Sequence, residues 1–148
     1  VKNLLRIVGS CCVIGLIGYL VFKSRVSGAV TLSDPTEQQT WHLTSCWSGQ
    51  SRGYYGIAFS DDRQHDAEGR IEDPVDGEPH VVLDLATKNY AIAFYKNDCP
   101  VWDVDVHHGW ATYNGIWSMT GHARFTCSYN DDGIVRHATG DVQFGSCH

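Results

Sequence analysis

From residue 29 onward, apolar side chains recur at every second position or in short runs, and each run stops at a cluster of turn-forming residues. That spacing predicts strands with one face against a core. The runs cover residues 29–32, 40–47, 54–59, 70–72, 80–85, 91–95, 101–106, 116–125 and, with a break, 134–144. Between them stand Ser60-Asp61-Asp62, Asp73-Pro74-Val75-Asp76-Gly77, Asn97-Asp98, Asn114-Gly115 and Asn130-Asp131-Asp132-Gly133. The Asn114-Gly115 pair and the run ending in Asp132-Gly133 are typical hairpin punctuation, because those residues tolerate positive φ. No stretch of this region carries a convincing helical period. The expected fold is therefore all-β, an antiparallel β-sandwich or small barrel.

The pattern before residue 26 is different. Residues 4–22 are almost continuously apolar, with Arg6 as their one charge. As a helix they would extend about 29 Å, enough to cross a bilayer. The expected organisation is an N-terminal transmembrane anchor at 1–25, a linker and first strand at 26–39, and an extracytoplasmic β domain at 40–148. A cleavable signal and a lipoprotein signal are the alternatives. Val8-Gly9-Ser10-Cys11 loosely matches a lipobox, but most of the apolar run follows the cysteine instead of preceding it; Val26-Ser27-Gly28-Ala29 offers small residues for cleavage. Cys11, Gly15 and Gly18 fall at i, i+4 and i+7 and share one helix face, where small side chains let a second helix approach closely.

Charge follows the same division. All 17 Asp and Glu lie beyond residue 30, and four of the 11 Lys and Arg (Lys2, Arg6, Lys23, Arg25) bracket the apolar run. Seven basic against 17 acidic side chains leave the domain at −10 before histidines. Such a field repels phosphate backbones and argues against nucleic acid as a partner. Cys46, Cys99, Cys127 and Cys147 are widely spaced and contain no C-x-x-C pair, so two disulfides are expected ahead of a zinc site. Of the three connectivities, Cys46 with Cys147 and Cys99 with Cys127 is favoured, since it joins an early strand to the last and two neighbouring strands to each other. Basic residues are balanced across the apolar run and leave orientation undecided. Oxidised cysteines orient it instead, with the N-terminus cytoplasmic and the domain periplasmic.

Candidate chemistry is sparse. Gly49-Gln50-Ser51-Arg52-Gly53 matches G-x-S-x-G, but a nucleophile elbow needs a helix next, and Tyr54-Tyr55-Gly56-Ile57-Ala58-Phe59 is strand-like. Asp103, Asp105 and His107 alternate onto one strand face and offer two oxygen donors and a nitrogen for a metal; the competing reading is a solvated surface, because nothing at fixed spacing completes the set. Trp110 and Tyr113 lie in a loop-like segment, 107–114, and are candidate partner contacts. No cofactor-binding motif and no catalytic constellation is present, so the chain is read as a non-enzyme without a cofactor.

Cys46-Trp47-Ser48-Gly49, Gly53-Tyr54-Tyr55-Gly56-Ile57, Cys99, Gly121, Cys127 and the closing Gly140-Asp141-Val142-Gln143-Phe144-Gly145-Ser146-Cys147-His148 resemble a loose group of uncharacterised exported bacterial β domains, hypothetical lipoproteins. The resemblance covers most of residues 40–148 and implies export and disulfides, with no activity. The apolar span in place of a lipobox departs from it. The functional expectation is a non-catalytic accessory subunit of a larger bacterial inner-membrane complex, of respiratory, photosynthetic or secretion type, with other membrane subunits and the lipid bilayer as partners. The alternative is a membrane-tethered module for a metal, glycan or peptide.

Overall fold

Strands that bury alternate side chains need a second layer over their apolar face, and this chain builds both layers itself. The computed structural model describes residues 24–62, 67–85, 90–131 and 133–148. Residues 4–22, and with them Cys11, Gly15 and Gly18, lie outside the described residues. The described chain runs through β1 (Arg25–Ser33), β2 (Gln38–His42), β3 (Ser45–Ser48), β4 (Gly56–Ser60), β5 (Ala67–Glu72), β6 (His80–Leu85), β7 (Tyr90–Tyr95), β8 (Val101–Tyr113), β9 (Ile116–Asp131) and β10 (Ile134–Cys147). The first sheet has the order β2-β1-β10-β9-β8, and the second is the meander β3-β4-β5-β6-β7. All pairings are antiparallel. The fold is thus a β-sandwich in which a five-stranded meander is inserted between the two parts of the opposite sheet.

The inward rows explain the apolar spacing. Val30, Leu32, Trp41, Met119, Ala123, Phe125, Ala138, Val142 and Phe144 face the core from the first sheet; Ile57, Phe59, Ile71, Val81, Leu83, Ile92 and Phe94 meet them from the second. Phe59 and Phe144 touch across the layers with ring centroids 5.7 Å apart. Gly140 lies opposite Phe125 on the next strand, and a Cβ there would stand 2.4 Å from the ring. The aromatic takes the space that the glycine leaves.

Two expectations change. The run 40–47 is not one strand, because the chain passes between sheets in its middle. The Leu43 amide donates to Gly28 of β1 (3.2 Å), while the next amide, Thr44, donates to Ser60 of β4 (3.0 Å). The start of the 26–39 segment, expected to be linker, is also strand. β1 begins at Arg25 and pairs with β10 in register from Arg25–Gly145 to Ser33–His137, so residues 25–33 belong to the sandwich.

Disulfides join Cys46 to Cys147 and Cys99 to Cys127. The first links the two sheets; the second ties the approach to β8 to the middle of β9. Cys147 reaches the interior through a bulge. Three steps along β10, from Phe144 to Cys147, match two along β9, from Gly121 to Met119, and Ser146 takes φ 53° to absorb the extra residue. At the β1–β2 turn, the Thr36 amide and hydroxyl and the Glu37 amide donate to Asp34 Oδ1, while Arg136 reaches Oδ2 at 3.1 Å. These bonds, the Thr36 hydroxyl first, hold the Asp34 carboxyl down at about 2.

Two predictions follow from this anatomy. In the chain-entropy account, losing Cys46–Cys147 (separation 101) by paired serine substitution costs about 4.7 kcal/mol, and losing Cys99–Cys127 (separation 28) costs about 3.6 kcal/mol. Denaturant titrations should place the first variant as the less stable; the reverse order would show that loop entropy does not control these staples. Asp34 has a folded-state value near 2 against an ordinary 3.8, so its contribution is complete above 3.8 and is lost as pH falls towards 2. Wild type should melt above Asp34→Asn at neutral pH, with the gap closing across that acid window.

Candidate functional site

Beyond its last pairing with β10, the β8–β9 hairpin continues as a two-stranded tip. Cys147 is level with Met119, and past that point β9 has β8 as its partner through Thr112–Trp117 and Tyr113–Ile116. The turn is Asn114-Gly115, with φ 50° and 79°, the left-handed pair that lets two residues close a hairpin. Between His108 and Thr112 the register slips, since four steps on β8 match two on β9. This segment, expected to be a loop, is strand at both ends, where His107, His108, Thr112 and Tyr113 pair with β9, and Gly109, Trp110 and Ala111 form the bulge between them.

The tip carries the largest exposed aromatic surface of the described residues: Trp110 is 73% exposed, Tyr113 63% and Trp117 41%. Its base is held by both sheets. His108 stacks on Trp117 (5.6 Å between centroids) and meets the edge of Tyr55, from the approach to β4, at 5.1 Å. The Trp117 amide donates to Gln50 Oε1 at 2.9 Å. The structure brings Trp110 and Tyr113 to one hairpin end and adds Trp117, His108, Tyr55 and Gln50. Nothing in the sequence marked Trp117 as exposed. It shares the inward row with Met119 and Ala123, but the opposite sheet ends before covering it. No Asp, Glu, Lys or Arg occurs between Asp105 and His122, so the tip is uncharged apart from its histidines.

The other candidates behave differently. Asp103, Asp105 and His107 do share the outer face of β8, yet each carboxylate takes a separate histidine. His107 Nδ1 lies 3.2 Å from Asp105, and His122 Nε2, from β9, lies 3.0 Å from Asp103. Among the described residues no three His, Cys, Asp or Glu side chains converge to hold a metal ion. The neighbouring row on that face, Thr126, Thr139, Thr31 and Thr40, is a band of hydroxyls across four strands, with Thr31 and Thr40 hydrogen-bonded at 3.0 Å. Ser51 sits in a 3-10 turn, Gly49–Arg52, that leads into β4, and its hydroxyl donates to the Ser48 carbonyl at 2.7 Å. On the outer face of the second sheet, Arg52, Glu68, Gly69, Arg70 and Asp84 line a shallow hollow. Arg52 covers the Trp47 ring at 5.3 Å and pairs with Glu68. Nearby, burial pushes the Tyr54 phenol up to about 12, against the opposing pull of Arg52.

Trp110 and Tyr113 are too exposed to stabilise the fold. Trp110→Ala combined with Tyr113→Ala should change stability by less than about 0.5 kcal/mol, as exposed substitutions do, whereas Trp41→Ala should cost about 3 to 5 kcal/mol as a core deletion. Thermal or denaturant unfolding measures both, and a large loss at the tip would assign it a structural role. No protein-family model matches the chain, and searches of curated proteins and of solved structures found no match either.

Proposed function

We propose that the chain is a non-catalytic accessory subunit of a bacterial membrane complex. Residues 4–22 anchor it in the inner membrane, and the acidic sandwich stands on the periplasmic side. The single observation that carries this reading is how little chain lies at the domain entrance: β1 starts at Arg25, with only Lys23 and Ser24 after the apolar run, and is paired from its first residue with Gly145. A domain joined without a linker cannot sweep a volume in search of soluble ligands. It holds one position over its anchor, which suits a subunit that caps its neighbours. Two disulfides support an oxidising compartment, and the shared face of Cys11, Gly15 and Gly18 supplies a surface on which a partner helix can pack.

Mild-detergent extraction, sizing and mass spectrometry of the tagged chain test the proposal. Stoichiometric membrane subunits should travel with the wild type, and Gly15→Leu with Gly18→Leu should release them while leaving the chain in the membrane fraction. A lone monomer from native membranes would discard the accessory role in favour of a tethered ligand-binding module.

A further inference from the structure

The register of the first sheet places the aromatic tip on the side from which the anchor enters. Arg25, the first residue of β1, is level with Gly145 of β10, which falls between the pairs Phe144–Gly121 and Cys147–Met119. Following β9 backwards from Met119, the hairpin runs on to its turn at Gly115, away from the rest of the sandwich. Those four residues amount to about 13 Å at the usual strand rise of ~3.3 Å. Only Lys23 and Ser24 separate the apolar run from β1, so Phe22 and Arg25 lie at most ~11 Å apart even when fully extended. The overshoot of the tip exceeds the length of the tether.

We infer that the β8–β9 tip enters the headgroup layer of the bilayer that holds the anchor, with Trp110, Tyr113 and Trp117 as its interfacial side chains; this rests on the anchored reading of residues 4–22. The chemistry of the tip agrees with that position. Tryptophan and tyrosine favour the boundary between water and hydrocarbon, where an apolar ring and a polar N–H or O–H are both satisfied. A domain at −10 gains nothing from anionic headgroups. The stretch between Asp105 and His122 lacks any Asp, Glu, Lys or Arg, so the tip meets lipid with no fixed charge to desolvate. Insertion is therefore driven by burial of aromatic surface and is insensitive to salt, unlike attraction to charged lipid. The stack of Tyr55, His108 and Trp117, with Gln50 bonded to the Trp117 amide, keeps the hairpin base from folding back as the tip enters.

The full chain, reconstituted in phosphatidylcholine vesicles containing lipid brominated near the headgroup end of its acyl chains, provides a direct test. All five tryptophans lie beyond residue 40, so the anchor itself is silent in tryptophan fluorescence. Bromolipid should quench the wild type, and the quenched component should fall at least ~3-fold in Trp110→Phe with Trp117→Phe, unchanged by added salt. Phenylalanine keeps the apolar bulk, so loss of the signal does not require loss of the fold. Equal quenching in wild type and variant, or none in vesicles that retain the chain through alkaline carbonate washing, overturns the inference and leaves a protein partner as the occupant of the tip. Release of the chain by carbonate is a separate outcome: it sinks the anchored reading itself.

Discussion

Each crossing of the chain between the two sheets is pinned by a disulfide, and the rest of the architecture depends on those two staples. The first crossing, at Leu43 and Thr44, leads directly into Cys46, which is bonded to Cys147 at the end of the last strand. The return, through the 3-10 turn Lys96–Asp98, reaches Cys99, bonded to Cys127 in β9. A sandwich whose first sheet is assembled from both ends of the chain must close very long loops before β1 can meet β10, and closure entropy opposes that. An acidic domain adds self-repulsion to the opposition. Covalent links at the crossings remove much of this freedom from the unfolded chain, where it would otherwise compete with a core of modest size.

The same closure sets the geometry of the aromatic tip. Pairing of β1 with β10 and of β10 with β9 fixes the level at which the chain enters relative to the hairpin that projects past it. Because the hairpin base is gripped through Tyr55, His108 and Gln50, the hairpin is held where it projects past the sheet. A preordered surface binds without first losing conformational freedom. The proposed accessory role and the inferred interfacial tip both rest on one feature, a sandwich whose first strand begins at Arg25, close behind an apolar segment of the sequence.

The alternation of apolar residues located most strands, but it hid the crossing in the run 40–47. Trp41 and Leu43 face inward at odd positions, then Cys46 and Ser48 at even ones, a change of phase at the corner. Trp47, apolar but on the outer face beneath Arg52, makes the run look unbroken. Residues 107–113 erred in the opposite direction. Two histidines and a glycine look like a loop, yet pairing of His107, His108, Thr112 and Tyr113 with β9 keeps strand on both sides of the bulge whatever the side chains are. At the tip itself, Trp110 and Tyr113 were legible as candidates for contact, while Trp117 was not, since its place on the inward row says nothing about how far the facing sheet extends.

What the sequence determined by itself was local: where strands and hairpin turns lie, the segregation of charge, and the presence of four cysteines in a β-rich domain. Side-chain alternation and turn chemistry act over a few residues and can be read in order along the chain. Tertiary structure decided what lies opposite each strand. By alternation from Val142 and Phe144, Cys147 belongs on the outer face; the bulge at Ser146 turns it inward to Cys46, and that closure joins the sheets. In the same way, the line between a core tryptophan and an exposed one is drawn at Trp117 by the end of the second sheet. Those choices depend on partners distant in sequence, and only the folded chain brings them within reach.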